Sequence, residues 1–89
     1  MNFNQAKKKV LKDIDKAGYG FAVAAWCREE GQPLRLNGES YEEGKLLAYD
    51  MYDYTGNRVF GVLKELQDIA ENHGCYWENV NGAETELCY

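Results

Sequence analysis

The 89-residue chain carries 15 acidic and 10 basic side chains, a formal net charge of −5, with 45% hydrophobic and 13% aromatic residues. That length fits one small domain and excludes a multidomain protein, and the aromatic content excludes a disordered acidic tail. No apolar run approaches the roughly 18–20 residues of a membrane helix, Met1–Lys9 lacks the apolar core of a secretory signal, and three cysteines are an odd number for a disulfide framework, so a cytoplasmic protein with reduced thiols is expected.

Residues 3–17 carry helical periodicity, with Phe3, Ala6, Val10, Leu11, Ile14 and Ala17 on one stripe and lysines opposite. Asn2 or Asn4 can cap its start, and Gly18 can supply a left-handed stop. This segment holds Lys7, Lys8, Lys9, Lys12 and Lys16 against Asp13 and Asp15, so residues 17–89 carry −8 of the total charge. The basic helix is expected to pack on that acidic body and offset its field. Residues 21–30 read either as a helix, from their alanines and the Gly31-Gln32-Pro33 stop, or as a short buried strand. Leu34–Gly38 reads as a short strand ending in a turn.

Ser40-Tyr41-Glu42-Glu43 has the form of a capping box, predicting a helix from there to about Tyr54, broken by Thr55-Gly56-Asn57. One of its faces carries Glu43, Leu46, Asp50 and Asp53. A further helix is predicted from about Arg58 to His73. Val59, Val62, Leu63, Leu66, Ile69 and Ala70 follow helical spacing there, Glu65, Asp68 and Glu71 lie on the other face, and Gly74 ends it.

Asn81-Gly82 between two β-prone runs predicts a C-terminal hairpin with a two-residue turn, both turn residues at positive φ. Counting outward from a Val80–Ala83 pair brings Cys75 opposite Cys88 on a non-hydrogen-bonded rung, where Cα atoms approach to about 4.5 Å and a disulfide is geometrically allowed. The same register puts Tyr76, Val80, Ala83 and Leu87 on one face, with Glu78 and Thr85, and Trp77 with Asn79, Glu84 and Glu86 on the other. Trp77 then either lies among carboxylates on a contact surface or covers a helix edge. Cys27, His73, Cys75 and Cys88 form a chemically legitimate zinc set at poor spacing. A Cys75–His73 pair lacks a third group to orient it. Reduced, semi-buried thiols are the plainest reading. No phosphate-binding glycine loop, metalloprotease motif, calcium loop or basic–aromatic nucleic-acid patch is present, so no catalytic residue, metal or cofactor is assigned and an enzyme is not expected.

The islands Ala17-Gly18-Tyr19, Arg58-Val59 and Cys75-Tyr76-Trp77-Glu78-Asn79-Val80, in that order, resemble those of small phage-borne anti-CRISPR proteins that block the nuclease domain of type II-C CRISPR nucleases. The resemblance implies a small single-domain inhibitor from a mobile element, acting in the host bacterial cytosol on a Cas nuclease or Cascade-type effector. No binding residue is transferred from that family. The residues themselves point the same way, since an acidic domain can compete for the basic channels that hold nucleic-acid phosphates. The expected contact set is Glu43, Asp50 and Asp53 with Glu65, Asp68, Glu71, Glu84 and Glu86 for charge, and Tyr41, Tyr49, Tyr54 and Trp77 as anchors. The expected fold is α+β, mostly helical with a C-terminal antiparallel hairpin. The alternative is a housekeeping interaction module or small homo-oligomer whose acidity serves solubility.

Overall fold

A computed structural model describes residues 2–89. The first helix, α1 (Phe3–Lys16), starts on a reciprocal cap in which the Asn2 side chain accepts from the Gln5 amide at 2.9 Å and the Gln5 side chain accepts from the Asn2 amide at 3.0 Å. Its apolar stripe is buried at Ala6, Val10, Leu11 and Ile14, as its periodicity predicts. Lys7 departs from the expected basic face. Its ammonium is turned inward and donates to the Glu29 and Gln32 carbonyls at 2.7 Å each, and burial pulls its pKa below the ordinary lysine value.

Residues 21–30 form neither expected element. Two short 3-10 turns, Gly20–Ala22 and Ala25–Arg28, carry the chain under α1 and bury Ala22 and Cys27. Strand β1 (Arg35–Asn37) follows where a short strand is expected.

The helix predicted over residues 40–54 is absent. Gly44 sits at φ +82°, and the side chains of Asn37, Asp50 and Asp53 accept from the amides of Glu39, Tyr52 and Thr55. Those local bonds give the backbone an alternative to helical pairing. Tyr49 pairs instead in an isolated bridge with Val62, and its ring is only 1% exposed.

The start of the second predicted helix is likewise a tight hairpin, β2 (Arg58–Val59) and β3 (Val62–Leu63), before α2 (Lys64–Asn72) begins. The two-residue turn expected at Asn81-Gly82 occurs here, at Phe60-Gly61, with φ of +49° and +87°.

The C-terminal hairpin of β4 (Tyr76–Asn79) and β5 (Glu84–Cys88) is present, and β5 is the central strand of a β1-β5-β4 antiparallel sheet. The fold is therefore α+β, two helices against a small antiparallel sheet. Its register is one residue off the expected one, however. Asn79 faces Thr85, Trp77 faces Leu87 and Tyr76 faces Cys88. The cause is the loop. The Asn81 side chain accepts from the amides of Ala83 and Glu84 at 2.8 and 2.9 Å, while Val80 and Asn81 both donate to the Glu84 carbonyl, which lengthens the turn by one residue. A single-residue slip exchanges the faces of one strand relative to its partner. Trp77 and Leu87 consequently point into the core together, and Tyr76 and Val80 point out. The indole nitrogen of Trp77 donates to the Leu66 carbonyl at 3.0 Å, so of the two places open to this ring it takes the one against a helix, and it locks β4 onto α2 instead of lying on a contact surface.

Candidate functional site

The loop between β1 and β2 and the β2–β3 turn are held by one side chain. The guanidinium of Arg58, nearly buried, donates from Nε to Asp53 Oδ2 at 2.7 Å and from Nη1 to the carbonyls of Leu47 and Gly61 at 2.8 and 3.0 Å. The guanidinium and the Thr55 bonds hold the Asp53 carboxyl down at about 2. Gly61 is required by space as well as by φ, because a Cβ there would lie 2.9 Å from the Tyr49 ring and 3.0 Å from the Met51 backbone. The second turn joins the same end of the molecule. Tyr49 Oη donates to the Asn81 carbonyl at 3.1 Å, and Gly82 lies beside Met51 and Tyr52.

This scaffold displays apolar surface outward. Tyr54 is 88% exposed, Phe60 84% and Tyr52 72%, with Met51 partly exposed beside them. Met51, Asp53, Tyr54, Arg58, Phe60 and Asn79 line an open cleft of about 420 Å³. That volume is within the range of about 300–1,000 Å³ typical of ligand-holding clefts. Large exposed rings gathered at one end of a small domain mark a contact surface more often than chance placement does. Sequence periodicity could not find this patch, because it assigned the Tyr54 and Phe60 neighbourhoods to helices. The signal that was legible is local: a phenylalanine directly before Gly61, between two valines.

The acidic residues expected at a contact surface are dispersed. Glu43 and Asp50 lie in the irregular loop and not on one helix face, while Asp53 is neutralised by Arg58. On α2, Glu65 and Glu71 are exposed, but Asp68 is paired with Lys64 at 2.7 Å. Arg35 reaches Glu86 at 2.8 Å and Glu84 at 3.8 Å across the β1–β5 ladder. Of the expected anchors, Tyr41 and Tyr54 are exposed; Tyr49 at 1% and Trp77 at 8% exposure are core residues. Glu39, Glu42, Glu43 and Asp50 form no ion pair among the described residues, which leaves the loop feeding the aromatic patch negatively charged. The opposite charge sits on α1, where Lys8, Lys9, Lys12 and Lys16 are exposed.

Cys27, Cys75 and Cys88 are free thiols. The Cys75–Cys88 bridge that the expected register allowed is not formed, since the observed register puts Tyr76 opposite Cys88 and Cys75 is buried. Burial raises both thiols above their ordinary pKa, and for Cys88 a hydrogen bond to Glu78 adds to it. Among the described residues no three His, Cys, Asp or Glu side chains converge to hold a metal. His73 Nε2 instead lies 2.7 Å from Asp13 Oδ2 and ties the end of α2 to α1. Among the described residues no helix is long and apolar enough to cross a membrane.

Compared with protein-family models, with curated proteins and with solved structures, the chain matches none.

Proposed function

We propose that this chain is a small non-enzymatic inhibitor that docks on a basic surface of a nucleic-acid-processing protein, a Cas nuclease or Cascade-type effector being the partner that its sequence islands imply. The observation supporting docking is the pair of exposed rings, Tyr54 and Phe60, on one cleft, with Tyr52 exposed in the same loop, fed by a segment whose Glu39, Glu42, Glu43 and Asp50 form no ion pair among the described residues. Charge steers encounter with a basic partner and the rings convert encounter into affinity. The contact surface is accordingly placed at the two-turn end of the molecule, and not along acidic helix stripes. Occlusion of a basic channel suffices for inhibition, since the channel binds phosphates largely through the charges the inhibitor covers.

The test is a DNA-cleavage assay with a purified type II-C CRISPR nuclease, with Cascade–DNA binding in parallel. Inhibition is expected to weaken as salt rises from about 50 to 300 mM, and the triple variant Glu42→Lys, Glu43→Lys, Asp50→Lys is expected to lose it while keeping the wild-type melting temperature. Undiminished cleavage and DNA binding at saturating inhibitor would refute the proposal.

A further inference from the structure

Phe60 is the single non-glycine residue at positive φ among the described residues, and it stands at the tip of the β2–β3 hairpin with its ring 84% exposed. The first position of such a turn favours Asn, Asp or Gly, and a side chain with a Cβ is strained in the left-handed region. The ring therefore costs folding stability and returns almost no packing. A residue that strains the backbone and contacts little of its own chain points to a contact outside it. Tyr54 stands on the rim of the same cleft, equally exposed.

The charge around these rings selects the visitor. Asp50, whose amide donates to the Gly61 carbonyl at 2.8 Å, stands beside the Phe60 turn, and Asp53 and Arg58 line the cleft; the loop they belong to, residues 37–63, adds Glu39, Glu42 and Glu43 against Lys45. Lys45 is turned away, its ammonium 4.9 Å over the Tyr19 ring, and Arg58 is spent on Asp53 and two carbonyls. An anion is thus disfavoured, and a second copy of this end would set like charges against each other. A cation that also gains from aromatic faces is favoured. Guanidinium meets that need better than ammonium, because it is planar, weakly hydrated and stacks on rings.

We propose that Phe60 and Tyr54 form a stacking dock for arginine side chains of an arginine-rich protein segment. This rests on the docking role above and names its chemistry.

The full chain is titrated with octa-arginine and octa-lysine peptides at about 50 mM salt, and melting is followed without peptide. The wild type is expected to bind octa-arginine about fivefold tighter than octa-lysine. Phe60→Asn and Tyr54→Ala should each erase most of that preference, and Phe60→Asn should melt about 4 °C higher or more, as the turn loses its strain. Equal affinity for the two peptides, binding of neither, or a Phe60→Asn protein that melts lower or keeps the preference would overturn the proposal. So would a concentration-dependent dimer in sedimentation that Phe60→Asn dissolves, which would assign the ring to a second copy. Nuclease inhibition that survives Phe60→Asn would sink the arginine dock alone, whereas arginine selectivity without inhibition of any effector would sink the inhibitor reading alone.

Discussion

Arg58 shows how much one side chain can organise in a domain this small. Its three short hydrogen bonds fasten residues 47 and 53 of the loop before β2 to Gly61 in the β2–β3 turn. Arg58→Met leaves the Leu47 carbonyl without its donor and the Asp53 carboxylate without its cation, while the Gly61 carbonyl keeps the Asp50 amide, and a loss of about 2–4 kcal/mol in denaturant unfolding is expected. An unchanged midpoint would show that the loop is held otherwise. The partner group gives a pH signature. Asp53 is held at about 2 against an ordinary 3.8, so its folded pKa lies below its unfolded one. The stabilisation is full above about pH 4 and is lost as the pH falls toward 2. Thermal melts between pH 2 and 6 should show wild type and Asp53→Asn converging in that window; a constant gap between them would contradict the assignment. Gly38 is fixed by a different constraint. A Cβ there would collide with the Tyr49 carbonyl oxygen, which is backbone and cannot step aside.

At the scale of the elements, the C-terminal hairpin is governed by its loop and by Trp77. The Asn81 side chain sets the turn length, and the buried indole sets which face of β4 turns inward. Trp77→Ala is expected to cost about 3–5 kcal/mol, a large part of the stability of a domain this size, and a small shift in melting would instead mark the ring as peripheral. On β5, Thr85 is fully buried with its Oγ1 unsatisfied. Thr85→Val removes that stranded hydroxyl and should stabilise by about 1 kcal/mol, read as a higher melting temperature. The slipped register also fixes the thiols. Iodoacetamide at neutral pH should label Cys75 and Cys27 only after unfolding, and an oxidised wild type should show no intramolecular Cys75–Cys88 bridge by mass spectrometry.

For the whole molecule, charge is segregated and not uniformly acidic. The exposed lysines of α1 form a basic face of their own, while Asp15, Asp53, Asp68, Glu84 and Glu86 are compensated by nearby cations. The negative surface available to a partner is therefore narrower than the net charge of −5 implies; part of it lies in the loop before the aromatic patch, and the rest at Glu29, Glu30, Glu65, Glu71 and Glu78. On the inhibitor proposal, reversing Lys8 and Lys12 to Glu should leave effector inhibition unchanged, whereas an equal loss from α1 and from the Glu42–Asp50 loop would mean that only total charge matters.

Local and periodic chemistry was enough to read α1 with an asparagine cap at Asn2 or Asn4, the β1 strand, the apolar half of α2, the existence of the C-terminal hairpin and the α+β class. Each follows from neighbours within a few residues. The loop over 40–54, the Phe60-Gly61 turn and the face of Trp77 depend instead on contacts between residues far apart in the chain. A capping box and helical spacing are weak preferences, worth about a kcal/mol or less per residue. Burying Tyr49 and Trp77 and seating Arg58 outweigh them, because a small core gains most from its largest rings. The exposed ring cluster was illegible for the same reason. It exists only because those buried contacts bring two turns, distant in the chain, to one end of the fold.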